Sequence, residues 1–359
     1  NLQPVDADGN SLFGVRIEHD DLLSKLWKYL AIALIHREDC SIDSFRVMNV
    51  QLVPSVMAQL GKALRFRSRS LKTLILIDND FGREGVTFAA GVLSENKRLK
   101  RMSLNSNRLD DAESMAKLGG ALGDHPLLES LSVRYCSFGD DPRAFSAMIL
   151  SCNNVKFLDL RNANIGSRGA ATIARFLSSN PSTETLNLCS NNFDDADADV
   201  ISRGLSRNNT NLKLLYMSNN PISESGRSAL LRSIFDASSL NAVVDSNHTC
   251  ELIFDRMHTV HDMVMLINNF TPPDTNRKRK VVFAIHDALV GSSDFGSVED
   301  VPVQLAPEVL GLVQFGPLRY MSSRLMYNYS LTLTYEMFRR WLCSFLGGKS
   351  STAIDVSAR

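Results

Sequence analysis

The stretch Leu71-Lys72-Thr73-Leu74-Ile75-Leu76-Ile77-Asp78-Asn79-Asp80-Phe81 decides the fold. Counting Leu71 as position one, apolar residues stand at positions one, four, six and eleven, and asparagine at nine. Alternation at four and six marks a short strand with one buried face. Asparagine suits a tight turn, because its side chain bonds backbone groups that the turn leaves unpaired. The pattern returns as Leu99, Met102, Leu104, Asn107, Leu109; as Leu128, Leu131, Val133, Cys136, Phe138; and as Val155, Leu158, Leu160, Ala163, Ile165. It returns again as Thr183, Leu186, Leu188, Asn191, Phe193, and as Leu212, Leu215, Met217, Asn220, Ile222. Weaker copies flank these six, at Ile42, Phe45, Val47, Val50, Leu52 and at Leu240, Val243, Asp245, His248, Cys250. The eight starts are spaced 27–29 residues apart.

The second half of each copy carries helical spacing. Ile173, Phe176 and Leu177 fall on one face at i, i+3 and i+4, and Val86, Ala90 and Leu93 do the same earlier. One such unit is too small to bury its own apolar face, so stacked units share a continuous core. The strands then form a parallel sheet on the concave side, with helices on the convex side. This period and the pattern L-x-x-L-x-L-x-x-N-x-L resemble leucine-rich repeats of the ribonuclease-inhibitor type. The resemblance covers residues 42–250 and implies an α/β solenoid, a horseshoe with helical end caps. Val50, Ala163 and His248 depart from it at position nine, and looser turns are expected there.

Residues 1–41 are expected to form an N-terminal helical cap or degenerate repeat. Its helix is expected over 18–36, with Leu22, Leu23, Leu26, Leu30, Ala33 and Leu34 as the apolar stripe. Residues 251–359 lose the repeat and read as a mostly helical C-terminal cap or a separate small helical domain. The chain starts with Asn1 rather than Met and reads as a fragment of a longer protein.

Composition bounds the function. Apolar residues at 44% and charged residues at 22% exclude a disordered chain. Lys+Arg and Asp+Glu are 39 each, which gives no electrostatic footprint for nucleic acid or an anionic membrane. No stretch reaches the roughly eighteen apolar residues of a membrane span, and Lys25 and Lys28 interrupt the closest, Leu22 to Ile35. Six widely spaced cysteines without C-x-x-C point to reduced, buried thiols and a cytoplasmic protein. The sequons at Asn208, Asn247, Asn269 and Asn328 carry little weight in an asparagine-rich chain.

Candidate reaction centres fail on spacing. His258 and His261 lack a further ligand set, and Gly347-Gly348-Lys349-Ser350 lacks the first glycine of a phosphate loop, with Cys343 in its place. Val301 to Leu310 faintly resembles an F-box helix and reads as a cap helix. The basic run Arg277-Lys278-Arg279-Lys280 suggests a nuclear address or the solvated lead-in to a helix. No catalytic residue, cofactor site or metal site emerges, and the expected protein is a monomer without enzymatic chemistry.

What remains is a surface. Positions three, five and seven of each strand point to the concave side, about 5 Å from their neighbours in the next unit. The face gathers Arg101, Asn105, Arg134, Phe157, Asp159, Arg161, Asn187 and Tyr216, with Tyr135 at its rim. Arg and Tyr are common interface anchors. Ile75 and Ile77 should be exposed there, and an internal Arg134–Asp159 pair is the competing use of those charges. The expected function is a scaffold that binds a protein partner on this face. Two alternatives are a GTPase-activating regulator, using Arg101, Asn105 and Arg134, and the recognition part of a larger receptor or ubiquitin-ligase adaptor.

Overall fold

The computed structural model describes residues 17–36, 42–66, 70–139, 141–205, 209–236, 238, 240–254, 272–277 and 280–281. The chain divides into two compact units, Asn1–Ile234 with Asn247–Phe270, and Phe235–Ser246 with Thr271–Arg359. The first alternates helix and strand: α1 (Asp21–His36), β1 (Ser44–Met48), α2 (Pro54–Phe66), β2 (Thr73–Ile77), α3 (Arg83–Glu95), β3 (Arg101–Ser103), α4 (Ala112–Gly123) and β4 (Ser130–Ser132). It continues with α5 (Pro142–Ile149), β5 (Phe157–Asp159), α6 (Ser167–Ser178), β6 (Thr185–Asn187), α7 (Asp195–Gly204), β7 (Leu214–Tyr216) and α8 (Glu224–Ile234). The helix α9 (Leu240–Asp245) belongs to the second unit, and β8 (Glu251–Ile253) to the first.

The eight strands of the described residues pair in parallel, in chain order, as one open sheet. Residues at position four stack in register, Leu74 on Met102, Leu131, Leu158, Leu186 and Leu215, and all are buried. Helices pack about 8–10 Å apart but strands only about 4.8 Å, so a stack of such units bends with the sheet inside.

Asparagines tie the units together. The Nδ2 of Asn107 donates to the carbonyls of Leu76, Leu104 and Asn105 at 2.9–3.0 Å. Its Oδ1 accepts from the amides of Asn79 and Phe81 in the preceding unit. Asn191 repeats this, reaching back to Leu160 O and to the amides of Ala163 and Ile165. Position eight of all seven first copies lies in the left-handed region, with φ between 52° at Asp78 and 58° at Ser106. The turns expected to loosen at Val50 and Ala163 do not: Asn49 and Asn162 have φ 56° and 52°. Asn79 Nδ2 bonds Val50 O, and Asn191 holds the turn at Ala163, so each turn is fixed from the following unit.

Helix entry is also built locally. Asp111 and Asp194 accept from the amides of Ser114 and Asp197, satisfying N-terminal donors of α4 and α7. Gly85, Gly169 and Gly226 recur at position fifteen, where a Cβ would meet Phe81, Ile165 or Ile222 at 2.3–2.7 Å. Only glycine lets the helix sit that close to the position-eleven side chain.

Two expectations are corrected. The eighth copy is not at Leu240: that segment is α9, and the eighth strand begins at Glu251, 37 residues after Leu214 rather than about 28. Leu240 and Val243 imitate the apolar spacing inside an insertion. His248 is therefore not a position-nine residue, and the sheet runs past the expected limit at 250. The stripe of α1 is rotated as well. Trp27, Ala31 and Leu34 are buried, with Leu23, Leu30 and Ile35 partly so. Leu22, Leu26, Tyr29, Ile32 and Ala33 are exposed, because Trp27 carries the largest apolar area and takes the inward face.

In the second unit, residues 273–277 are helical and Lys280 is fully buried, so the basic run does not end as a solvated lead-in. The remaining helices expected beyond 254, residues 1–16, His258, His261, the Val301–Leu310 segment, Gly347–Ser350 and the sequons at Asn208, Asn269 and Asn328 lie outside the described residues. Asn247 is described and buried. Among the described residues no helix is long and apolar enough to cross a membrane.

Candidate functional site: the inner sheet face

Two rows of outward side chains cross the inner face. The position-three row reads Thr73, Arg101, Ser130, Phe157, Thr185, Leu214, Glu251. The position-five row reads Ile75, Ser103, Ser132, Asp159, Asn187, Tyr216, Ile253. Arg134, Arg161 and Cys189 continue their strands at position seven, and Tyr135 follows at eight. The expected residues therefore do share one face. Ile75 and Ile77 are half-buried rather than exposed, their neighbours in the sheet covering part of each.

They do not share one role. Asn105, Asp159 and Asn187 are buried and turned to internal bonds. Asn105 Oδ1 accepts from Ser132 Oγ and Arg134 N, both at 2.8 Å. Asn187 Oδ1 accepts from Cys189 N at 3.1 Å. Asp159 accepts from the amide of Arg161 and from its guanidinium, Nε at 3.1 Å and a terminal nitrogen at 2.9 Å. Arg134 Nε lies 3.7 Å from the same carboxylate. The Asp159 hydrogen bond raises Arg161 above its ordinary value, against a smaller opposing effect of burial. One buried carboxylate thus anchors two arginines, while Arg101, Tyr135 and Phe157 are exposed and Tyr216 is half-buried. The polar trio expected for a GTPase regulator is reduced to Arg101 and Arg134, since Asn105 is committed internally.

Tyr135 is the outlier. It has φ 55° at a position held elsewhere by Asn49, Asp78, Ser106, Asn162, Ser190 and Asn219. Short polar side chains tolerate this region through local hydrogen bonds, and a bulky aromatic does not. Tyr135 is nevertheless 61% exposed, so packing does not hold it there. Phe157, 41% exposed, lies at the opposite end of the strands, about 15 Å away along them. Sequence reading placed Tyr135 on the face without noticing its strain, although aligning position eight shows it as the odd residue. It missed Glu251 and Ile253 because of the register error. Glu251 is raised above the usual carboxylate range by burial.

Thiol chemistry is quiet in the core. Burial pushes Cys136 and Cys152 up to about 12. Cys189 is half-buried at the face. Among the described residues no three of His, Cys, Asp or Glu gather as a metal site.

The leucine rich repeat family matches residues 151–174 and 208–231, two segments set on the same strand-to-helix frame. The fold is that of an α/β leucine-rich repeat solenoid. It is 33% identical over 115 residues to "NACHT, LRR and PYD domains-containing protein 4C" of Mus musculus, which covers 32% of this chain and 12% of that protein. The chain thus spans about an eighth of the length of this relative. Among solved structures it is similar to a Bacteroides fragilis protein (14% identity, 62% of this chain and 68% of that one, TM-score 0.38). It is also similar to an internalin of Listeria monocytogenes (16% identity, 60% and 67%, TM-score 0.28). Leucine-rich repeat domains generally mediate protein–protein interaction, and the family is typically without enzymatic chemistry.

Proposed function

We propose that this chain is a non-catalytic, monomeric protein-interaction scaffold of the ribonuclease-inhibitor type, which seats a protein partner on its inner sheet face. Tyr135 carries the reading. An aromatic residue that is both strained and exposed contributes nothing to the solenoid that Asn or Ser would not contribute better, and strain of this kind accumulates at binding sites. Arg134 and Arg161 flank it, and Arg101 lies with Phe157 at the other end of the strands, all on short strands and tight turns that hold their backbone fixed before any partner arrives. Such pre-formed contacts lower the entropic cost of binding. Buried thiols fit a cytoplasmic setting.

A second reading is favoured by one observation. The mouse relative is named for NACHT and PYD domains beside its repeats, and this chain matches only a small share of it. On that reading the solenoid is the recognition part of a larger multidomain protein.

The test is affinity capture with two baits, this chain and a variant carrying Arg134→Ala, Tyr135→Asn, Phe157→Ala and Tyr216→Ala, matched by melting temperature. A protein retained by the first and lost by the second supports the inner face. Equal retention by both removes it from consideration.

A further inference from the structure

The inner face has a charge balance that the whole chain does not have. Overall the sequence is neutral, 39 basic against 39 acidic residues. At the outer edge of the sheet, position two is a self-neutralising ladder. Lys72 pairs with Asp43 at 3.1 Å, Lys100 with Glu129 at 3.6 Å, and Lys213 with Glu184 at 2.7 Å. On the face itself, between β3 and β6, positions three, five, seven and eight hold Arg101, Arg134 and Arg161 against Asp159 alone, a formal net charge of +2. Among the described residues, the other charged groups on those positions are Arg46 on β1 and Glu251 on β8, each two strands beyond this centre, and Asp78 after β2, one strand beyond it. Asp159 is 3% exposed and spends its oxygens on Arg161 and Arg134, so it leaves the arginines oriented and the surface positive. Among the described residues Arg134 Nε makes no hydrogen bond, the Asp159 carboxylate oxygen lying 3.7 Å away.

We propose that the partner presents an acidic polypeptide segment, its carboxylates meeting Arg134, Arg161 and Arg101 and its neighbouring side chains meeting Tyr135 and Phe157. This rests on the reading of the inner face as the binding surface and adds its chemistry. Guanidinium favours carboxylate through paired, charge-assisted hydrogen bonds. The buried Asp159 fixes Arg161 in advance, so less side-chain freedom is lost on binding. The exposed aromatics select polypeptide, whose apolar side chains they cover, while three arginines spread over three strands match carboxylates at spaced positions of an extended chain.

The experiment pans a random dodecapeptide display library on the whole chain at low salt. It compares the wild type with R101Q/R134Q, which brings the central charge from +2 to 0 and leaves the Arg161–Asp159 pair in place. Melting curves of both confirm that the solenoid is intact. The expected result is enrichment of peptides rich in Asp and Glu, whose binding weakens at least tenfold in R101Q/R134Q and at least tenfold between 50 and 300 mM salt, a tenfold change being about 1.4 kcal/mol. Enriched peptides without acidic bias that are lost with Tyr135→Asn overturn the charge inference and leave the inner face standing. Enrichment indifferent to every one of these variants, or no enrichment, overturns both. A twenty-residue dT oligonucleotide that binds and displaces the peptides reassigns the face to phosphate.

Discussion

Replacing Tyr135 by Asn is expected to make the protein more stable and less able to bind. The left-handed region costs a residue with an ordinary Cβ about 1–2 kcal/mol, and Asn meets much of that cost with local hydrogen bonds. Against this gain stands the packing of the tyrosine ring, but the residue is 61% exposed and little buried apolar area is lost. Its amide bond to Arg161 O at 3.0 Å is backbone and survives the change. The net is about +1 kcal/mol, or roughly 2–4 °C in melting temperature for a unit of this size. Tyr135→Ala is the control. Alanine keeps the Cβ and hence the strain, so it gains nothing. Urea unfolding of wild type, Y135N and Y135A, read by far-ultraviolet circular dichroism, separates them by midpoint at constant slope. If Y135N is no more stable than wild type, or if Y135A gains as much, then strain at this position is not what distinguishes Tyr135, and the case for a functional residue loses its support.

Three further outcomes follow from the internal bonds. Asn107→Ala removes five hydrogen bonds and strands buried carbonyls and amides, so it should cost about 3–5 kcal/mol. Hydrogen exchange should then accelerate first at residues 76–81 and 104–107, and unchanged protection there contradicts the ladder. His125 is buried, its Nε2 donating to Asn96 O and its Nδ1 accepting from Leu127 N, and burial lowers its pKa. Its folded value lies below the unfolded one of about 6.5, so its contribution is complete above that pH and is lost as acidification passes through the folded value. His125→Asn, the residue that Asn96 and Asn209 place at the same point of their repeats, should flatten the melting temperature between pH 7 and 5. Native alkylation at pH 7.5 mapped by mass spectrometry should modify Cys189 well before Cys136 and Cys152, whose thiols burial keeps protonated at that pH by pushing them up to about 12. Equal rates contradict their burial.

The sheet was readable from Leu74, Leu104 and Asn107 because burial at one face recurs at fixed spacing, and spacing is what a sequence displays. Failures came where identity and spacing part company. Leu240 and Val243 keep the apolar interval while forming a helix, since apolar residues three apart serve either element. On α1, both Leu26 and Trp27 fit an apolar stripe, and only the neighbouring α2 decides which turns inward. At the site, Asn105 and Asp159 resemble free surface groups in sequence, yet both bond the backbone of position seven, a use that depends on distances of about 3 Å. The strain at Tyr135 lay half visible, in a column of Asn, Asp and Ser that only the seven-fold alignment of turns explains.

The central claim is that the inner face holds the partner. Photo-crosslinking tests it most directly. The side chain of p-benzoylphenylalanine is placed at Phe157, at Tyr216, or at Ala171 on the exposed face of α6, and each protein is irradiated in native lysate. The account predicts a shared adduct from positions 157 and 216 and none from 171. An adduct from 171 alone would put the partner on the helices and contradict it.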